Sequence, residues 1–400
     1  MKDAFKAVKV TDKVYWVGAI DWAVRDFHGY LTSRGTTYNA YLVLSEKVTL
    51  MDTVKSGFAD EMFARIASVI DPRRIDYIVS NHSEPDHAGS LAGVIKAIEP
   101  EQVFASKMGV KALGENFGIE NVQAVADGQE LSLGDRKLTA VETRMCHWPD
   151  SMVSYLHEDK LLFSQDAFGM HLAGYERFAD EMDEPLLASE AGKYYANILL
   201  PLSASVTKAV AKLTELGIPL EIIAPDHGPI WRRDTGRIVS DYARWARQER
   251  TDKAVVVYDT MWSSTERMAR AIGEGLAAGG TRTRLMSMHG CHRSDVATEM
   301  LDAGALLVGA PTINNQIFPT VADVMTYLKG LRPLGVIGAA FGSYGWGGGA
   351  GRGLRSMLEE MHVEPIDGAL DVVYAPTDEQ LLRCYEFGQR VSAELKKRWG

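Results

Sequence analysis

The sequence predicts an α/β protein in two domains, the second of them a doubly wound parallel sheet. Three observations carry this. The chain has 400 residues, more than a single hydrophobic core usually serves. Residues 1–250 mix paired β-rich runs with amphipathic helices, whereas residues 251–400 alternate strand and helix. The composition, 46% hydrophobic and 24% charged with no low-complexity tract, is that of a globular chain.

The elements follow in order. TTYNAYLVLSEKVTLMDTV (36–54) reads as paired strands around a polar turn at Ser45–Lys47. SGFADEMFARIASVI (56–70) places apolar residues at helical spacing, and Asp71–Pro72 stops it. IDYIVSN (75–81), LTAVETRMC (138–146), KLLFSQ (160–165) and EIIAP (221–225) each read as a strand. Residues 178–217 are largely helical, with a break at Pro201. A charged helix, SDYARWARQERTDK (240–253), leads into the second domain. There, strands are expected at 254–259, 283–288, 305–309, 334–341 and 371–374, and a last helix at 377–399.

Charge and cysteine usage exclude several classes. The 53 acidic against 43 basic residues give a net charge of −10, without the basic surplus of a nucleic-acid binder. No stretch reaches the roughly 20 apolar residues of a membrane span. The N-terminal MKDAFKAVKVTDKVYWVG lacks the apolar core of a signal peptide. Cys146, Cys291 and Cys384 are odd in number and widely spaced, so no disulfide framework, zinc ribbon or iron–sulfur spacing can be built from them. A cytoplasmic location is expected.

The chemistry-bearing residues sit just after strands. IDYIVSN leads to His82, Glu84, Asp86 and His87 in NHSEPDHAGS (81–90). The other three strands lead to His147, to Asp166, and to Asp226 and His227. Loops at strand ends are where a rigid sheet makes functional groups converge. His82, His147 and His227 with Glu84, Asp86 and Asp166 are too many ligands for one tetrahedral zinc, so two divalent ions are expected to share them. Asp166, alone on its strand end, is the natural bridge, and ions bridged in this way lie roughly 3.5–4 Å apart. Carboxylate at position 84 hardens the set toward iron or manganese, although zinc remains an affinity competitor.

His-x-x-x-Asp-His followed by single His, Asp and His resembles the metallo-β-lactamase fold, an αββα sandwich with a dinuclear site. In hydrolases of that fold the Glu84 position is usually histidine. Glutamate there, with HWPDSM (147–152) and a flavodoxin-like second domain, resembles the flavodiiron proteins. RGTTYNAYL (34–42), KYYANIL (193–199), YDTMW (258–262) and PTINN (311–315) carry the same resemblance. It implies that His82, Glu84 and His147 bind one iron and that Asp86 and His227 bind the other, with Asp166 bridging. His87 fits a ligand position that family members use or leave empty. It also implies that His28 and Tyr195 line the distal pocket, where either would give a hydrogen bond or proton to a bound oxygen species; a packed aromatic and a satisfied histidine are the alternatives.

In the second domain, AVVVYD is followed by Thr260, Met261, Trp262, Ser263, Ser264 and Thr265, a hydroxyl-rich loop at the start of a helix. Backbone amides at a helix start form a phosphate site. The loop keeps the end threonines of the flavodoxin pattern but lacks its glycine, and no dinucleotide or P-loop motif is present. VGAPTINNQIFP (308–319) supplies Pro311, Thr312, Asn314 and Gln316. AAFGSYGWGGGAG (339–351) supplies Ser343, Tyr344, Gly345, Trp346 and Gly347. Both loops follow strand ends beside the switch point where this fold takes FMN.

The implied function is a reductase that passes electrons through FMN to a diiron site and converts O2 to water, NO to N2O, or both. A binuclear hydrolase with an accessory flavodoxin domain is the alternative, and a simple electron carrier with a vestigial metal domain is a third reading. The chain carries no Cys-x-x-Cys pair for a fused rubredoxin, so a separate rubredoxin is the expected donor, with a reduced deazaflavin second. The resemblance also implies a head-to-tail homodimer, or a dimer of such dimers.

Overall fold

The computed structural model describes residues 4–366 and 370–400, and they form two compact units. Of the described residues, the first unit comprises 4–194 and 204–243, the second 195–203, 244–366 and 370–400. The nine residues Tyr195–Ser203 thus count with the second unit although they fall inside the first in sequence.

The first unit is built on two sheets. Seven strands lie in the order Val8–Lys9, Val14–Trp16, Tyr41–Val43, Thr49–Met51, Tyr77–Ser80, Gln102–Ser106, Val122–Val125. Five lie in the order Glu130–Ser132, Lys137–Glu142, Met152–Leu156, Leu161–Gln165, Ile222–Pro225. Alternation along each strand decides which side is buried where. Tyr41, Val43, Met51, Val79 and Phe104 point to a core shared with Leu138, Ala140, Phe163 and Ala224 of the second sheet. Their neighbours Leu42, Leu50, Ile78, Val103 and Ala105 point the other way, into a second core with Met62 and Ile66, Leu91 and Val94, and Leu113 of three helices. This is the sandwich the sequence implies, with both faces of the first sheet apolar because both are covered.

Strand direction then collects the candidate ligands. Lys137–Glu142 and Leu161–Gln165 both run antiparallel to Met152–Leu156, and Ile222–Pro225 runs parallel to Leu161–Gln165. The three therefore end at one edge of the sheet, and His147, Asp166 and His227 emerge together there. Asn81 fastens the 82–87 loop to the same edge. Its backbone N–H and Nδ2 donate to Asp52 at 2.6 and 2.7 Å, its Oδ1 accepts from Ser154 Oγ at 2.6 Å, and its carbonyl accepts from Met152 N–H at 3.0 Å.

In the second unit the parallel strands lie in the order Arg282–Ser287, Thr251–Tyr258, Ala303–Ile313, Ile337–Tyr344, with Leu370–Val373 beyond. This is the flavodoxin-like order, 2-1-3-4-5. Strands begin or end up to a few residues from the expected limits, and the charged helix is Thr235–Ala246, earlier than the expected 240–253. Helices Ser264–Ala278 and Asp378–Trp399 cover one face through Met268, Ile272, Leu276, Phe387, Val391 and Leu395. Their backbones touch at Gly275 and Gly388, where an added Cβ would stand 2.0 Å from the Tyr385 carbonyl and 2.2 Å from that of Ile272. No helix among the described residues is long and apolar enough to cross a membrane.

Candidate metal centre and flavin site

Seven candidate ligands come together in two groups: His82, Glu84, His147 and Asp166 in one, Asp86, His87 and His227 in the other. Asp166 faces both. Its Oδ2 lies 3.0 Å from His147 Nε2 and 3.4 Å from His82 Nε2, while its Oδ1 lies 3.2 Å from His87 Nε2 and 3.4 Å from His227 Nε2. Glu84 Oε2 completes the first group, 3.1 Å from His147 Nε2 and 3.2 Å from His82 Nε2. Asp86 Oδ2 completes the second, 3.1 Å from His227 Nε2 and 3.4 Å from His87 Nε2.

These spacings suit metal ligation. Donor atoms bound at about 2.1 Å to one ion stand roughly 3.0–3.4 Å apart across an octahedral or tetrahedral edge. The buried Asp86 Oδ1 and Oδ2, His87 Nε2 and Asp166 Oδ1 lack hydrogen-bond partners. Unpartnered buried carboxylate oxygens are costly in an apolar interior, and a shared cation removes that cost. The residues therefore fit a pair of divalent ions, one per group, with one Asp166 oxygen toward each.

Outer contacts orient the imidazoles. His82 Nδ1 lies 3.3 Å from Asp150 Oδ2, which also accepts from Ser83 N–H and Oγ, both at 2.7 Å. His227 Nδ1 donates to the Thr37 carbonyl at 2.6 Å. Such partners fix tautomer and ring direction. Asp150 lies within the HWPDSM stretch and could have been found from it; Thr37 acts through its backbone and leaves no side-chain signal.

His28 reaches the cluster, with Nε2 2.5 Å from Glu84 Oε1 and the side chain 38% exposed. Tyr195 is a correction. Its ring packs on Trp245 at 5.3 Å and its hydroxyl lies 3.3 Å from Ser203 Oγ, all within the second unit. The tyrosine the structure brings to the imidazoles is Tyr194, with its ring 5.2 Å from His171 and 6.3 Å from His227. Consecutive helical residues point about 100° apart, so the pair YY cannot say which of the two faces the site. Sequence reading also missed His171, whose Nδ1 pairs with Thr36 Oγ1 at 2.7 Å. Burial and then the neighbouring His227 hold its pKa well below the usual histidine range, so it stays neutral.

Without metal, the cluster holds itself together by charge. Burial lowers the pKa values of His87 and His147. The carboxylates outweigh it, chiefly Asp86 and Asp166 at His87 and Asp166 and Glu84 at His147, and lift them to about 10 and about 9. At pH 7 both rings are thus protonated, whereas a metal ligand must offer a lone pair. Ferrous ion loading at pH 7 is expected to release protons. Apparent affinity should rise with pH toward that range, roughly tenfold per unit for each proton displaced. Anaerobic Fe(II) titration in a weakly buffered solution with a pH indicator checks this, and loading without proton release would contradict it.

In the second unit a cavity of about 610 Å³ opens at the strand ends on either side of the switch point. Thr260, Met261, Trp262, Ser264, Pro311, Thr312, Asn314, Ser343, Tyr344, Gly345, Trp346 and Gly347 line it as expected. Ser263, Thr265 and Gln316 do not. Ser263 has φ +60 and precedes the helix; Thr265 is fully buried with Oγ1 3.3 Å from Ser343 Oγ; Gln316 pairs with Ile313 in a short strand bridge. Asn315, Tyr374 and Ala375 were missed. The last two follow the strand Leu370–Val373, so the strand-end rule that located the other loops would have found them.

The cavity fits a flavin phosphate and ring. The Ser264–Ala278 helix has no side-chain cap at Ser263, which leaves first-turn N–H donors for an anion. Trp262 and Trp346 are 88% and 95% exposed, unusual for tryptophan, and offer faces for an aromatic ring. Ser264→Asp would place a carboxylate where the phosphate belongs. Flavin affinity is expected to fall at least about tenfold, or ~1.4 kcal/mol, with metal content unchanged. Flavin absorbance during dialysis measures it, and full retention would exclude this loop as the phosphate site.

Comparisons with known proteins agree with this geometry. Residues 36–228 match the family described as ODP family beta lactamase, and residues 256–388 match Flavodoxin. The chain is 45% identical over 393 residues to a nitric oxide reductase of Moorella thermoacetica, covering 97% of this chain and 98% of the relative. It is 45% identical over 396 residues to the rubredoxin-oxygen oxidoreductase of Megalodesulfovibrio gigas, covering 98% of each. The crystal structure of the flavodiiron protein from Giardia intestinalis superposes with a TM-score of 0.94 at 34% identity, over 99% of each chain. Two iron-type ligand groups bridged by one aspartate and a flavodoxin-like cavity, in a chain this similar to redox enzymes, place the protein in the flavodiiron protein family.

Proposed function

We propose that this chain is a flavodiiron reductase: it takes electrons from a donor protein and reduces O2 to water, NO to N2O, or both. The observation that carries this reading is the division of Asp166, one oxygen toward each ligand group at 3.0–3.4 Å. When bound, FMN would relay electrons from the donor and two iron ions would deliver them to the small oxidant.

The chain's own residues do the rest. His82, Glu84 and His147 would hold one ion and Asp86, His87 and His227 the other, with Asp166 between them. The Nε2 distances of His87 to Asp86 and Asp166 support its inclusion. His28, half-exposed and hydrogen-bonded to Glu84, stands where it can take a proton from solvent and hold it on Nε2 beside the cluster. Phe27 packs on His28 at 4.4 Å and on His171 at 4.5 Å, an apolar wall that keeps bulk water from the imidazoles. The lining residues of the second unit's cavity would hold FMN.

A rubredoxin is the proposed donor, supported by the name of the Megalodesulfovibrio gigas relative; a reduced deazaflavin is the second choice. A head-to-tail homodimer and a cytoplasmic location are proposed with it. The three cysteines are unpaired, as expected in a reducing compartment. A hydrolase is disfavoured by the Glu84 carboxylate and by relatives named for redox reactions. The test is anaerobic reduction of the purified protein, comparison of O2 and NO consumption, and a count of iron and FMN. Two irons and one FMN per chain with turnover of either gas are expected. Stoichiometric zinc with hydrolase activity and no gas consumption would overturn the reading.

A further inference from the structure

His87 differs from His82 and His227 in what stands behind it. A neutral imidazole that turns its Nε2 lone pair to a metal carries its proton on Nδ1, and a buried Nδ1–H needs an acceptor. His82 and His227 have theirs in Asp150 and the Thr37 carbonyl. His87 Nδ1 faces Asp226 Oδ2 at 3.6 Å, beyond hydrogen-bond range. His87 Nδ1 and both Asp226 carboxylate oxygens lack a hydrogen-bond partner among the described residues, although neither side chain is more than 1% exposed.

The surroundings leave each as the other's partner. Asp52, the next buried carboxylate, already accepts from Asn81 N–H and Nδ2. The Asp226 backbone is fixed at both ends, its N–H donating to the Gln165 carbonyl at 2.9 Å and its carbonyl accepting from Asn39 N–H at 2.7 Å. The present contact is about 0.8 Å longer than a charge-assisted hydrogen bond of about 2.8 Å.

We infer that Asp226 is the positioning residue for His87: its carboxylate accepts Nδ1–H and so keeps the ring's Nε2 turned toward Asp86 and Asp166. The contact fixes the tautomer as well as the ring direction. Without it, the ring either leaves a buried N–H unpaired or reverses its tautomer and points an N–H at the metal position. His87 is then a ligand when Asp226 holds it and no ligand when it does not. Asp226 acts only through His87 and touches neither substrate nor flavin.

The inference rests on the two-metal reading of the site, and a double-mutant cycle separates the two. Anaerobic Fe(II) titrations are run on the full chain and on Asp226→Ala, Asp226→Asn, His87→Ala and the Asp226→Ala/His87→Ala pair, with Mössbauer spectra of the loaded proteins. In Asp226→Ala the second iron is expected to bind about 10–100-fold more weakly. His87→Ala should show the same loss and the same change at one iron, and the double variant should be no weaker than His87→Ala. Asp226→Asn, which keeps an acceptor oxygen, should recover most of the affinity. Equal weakening by Asp226→Ala with and without His87 would overturn the inference by making the effect generally structural. Unchanged second-iron affinity in Asp226→Ala would overturn it directly. An unsubstituted chain that binds fewer than two Fe(II) would overturn the metal reading itself, before any variant is compared.

Discussion

Replacing Asp166 with alanine is expected to empty both metal positions at once. Among the described residues no other side chain turns one oxygen to each ligand group, and Asp166 is buried. Each group keeps three donors, but the first retains only the Glu84 charge and the second only that of Asp86. Even residues outside the first ring of ligands typically contribute 10–100-fold to metal affinity or activity, so losing the bridge should cost roughly a hundredfold or more. Iron is expected to fall from two to less than one per chain, and gas reduction to fall with it. The flavin spectrum should be unchanged, because the flavin cavity is formed wholly within the second unit. Asp166→Asn separates charge from shape: if it retained two irons, the negative charge would not be what holds them. Metal analysis beside the flavin absorbance reads both outcomes in one preparation.

The reach and the limits of sequence reading show in particular residues. His82, His147, Asp166 and His227 were legible because each follows a β-rich run, and a sheet whose strands share a direction brings such ends together. The two flavin loops were legible on the same ground. Rotational phase was not legible: in YY the periodic pattern is satisfied by either tyrosine, and the helix turns π-like from Tyr195 onward. Nor was the transfer of Tyr195–Ser203 to the second unit, because membership of a unit is decided by contacts far apart in sequence, such as Tyr327 Oη donating to Asn197 Oδ1 at 2.8 Å. Asp226 was visible as the neighbour of His227, yet its place behind His87 arises from two loops 139 residues apart meeting at one sheet edge.

Glu84→His tests whether this one carboxylate directs a hydrolase-type scaffold toward iron. Glu84 Oε2 faces His82 and His147 while Oε1 accepts from His28, so the substitution removes a hard anionic donor and an outer contact together. The three carboxylates Glu84, Asp86 and Asp166 would fall to two, and three imidazoles would face the first ion, a set that suits zinc better than ferrous iron. In cells supplied with both metals, the zinc-to-iron ratio of the purified protein is expected to rise at least about tenfold. Gas reduction should fall about a hundredfold, since zinc has no redox chemistry to offer. Glu84→Asp, which keeps the charge but shortens the reach, should retain iron while weakening the His28 contact. A Glu84→His protein that still carried two irons and reduced O2 or NO at the original rate would show that ligand hardness at this position does not select the metal. The choice would then rest on the remaining carboxylates, Asp86 and Asp166, whose four oxygens already face both groups or lie buried without another partner.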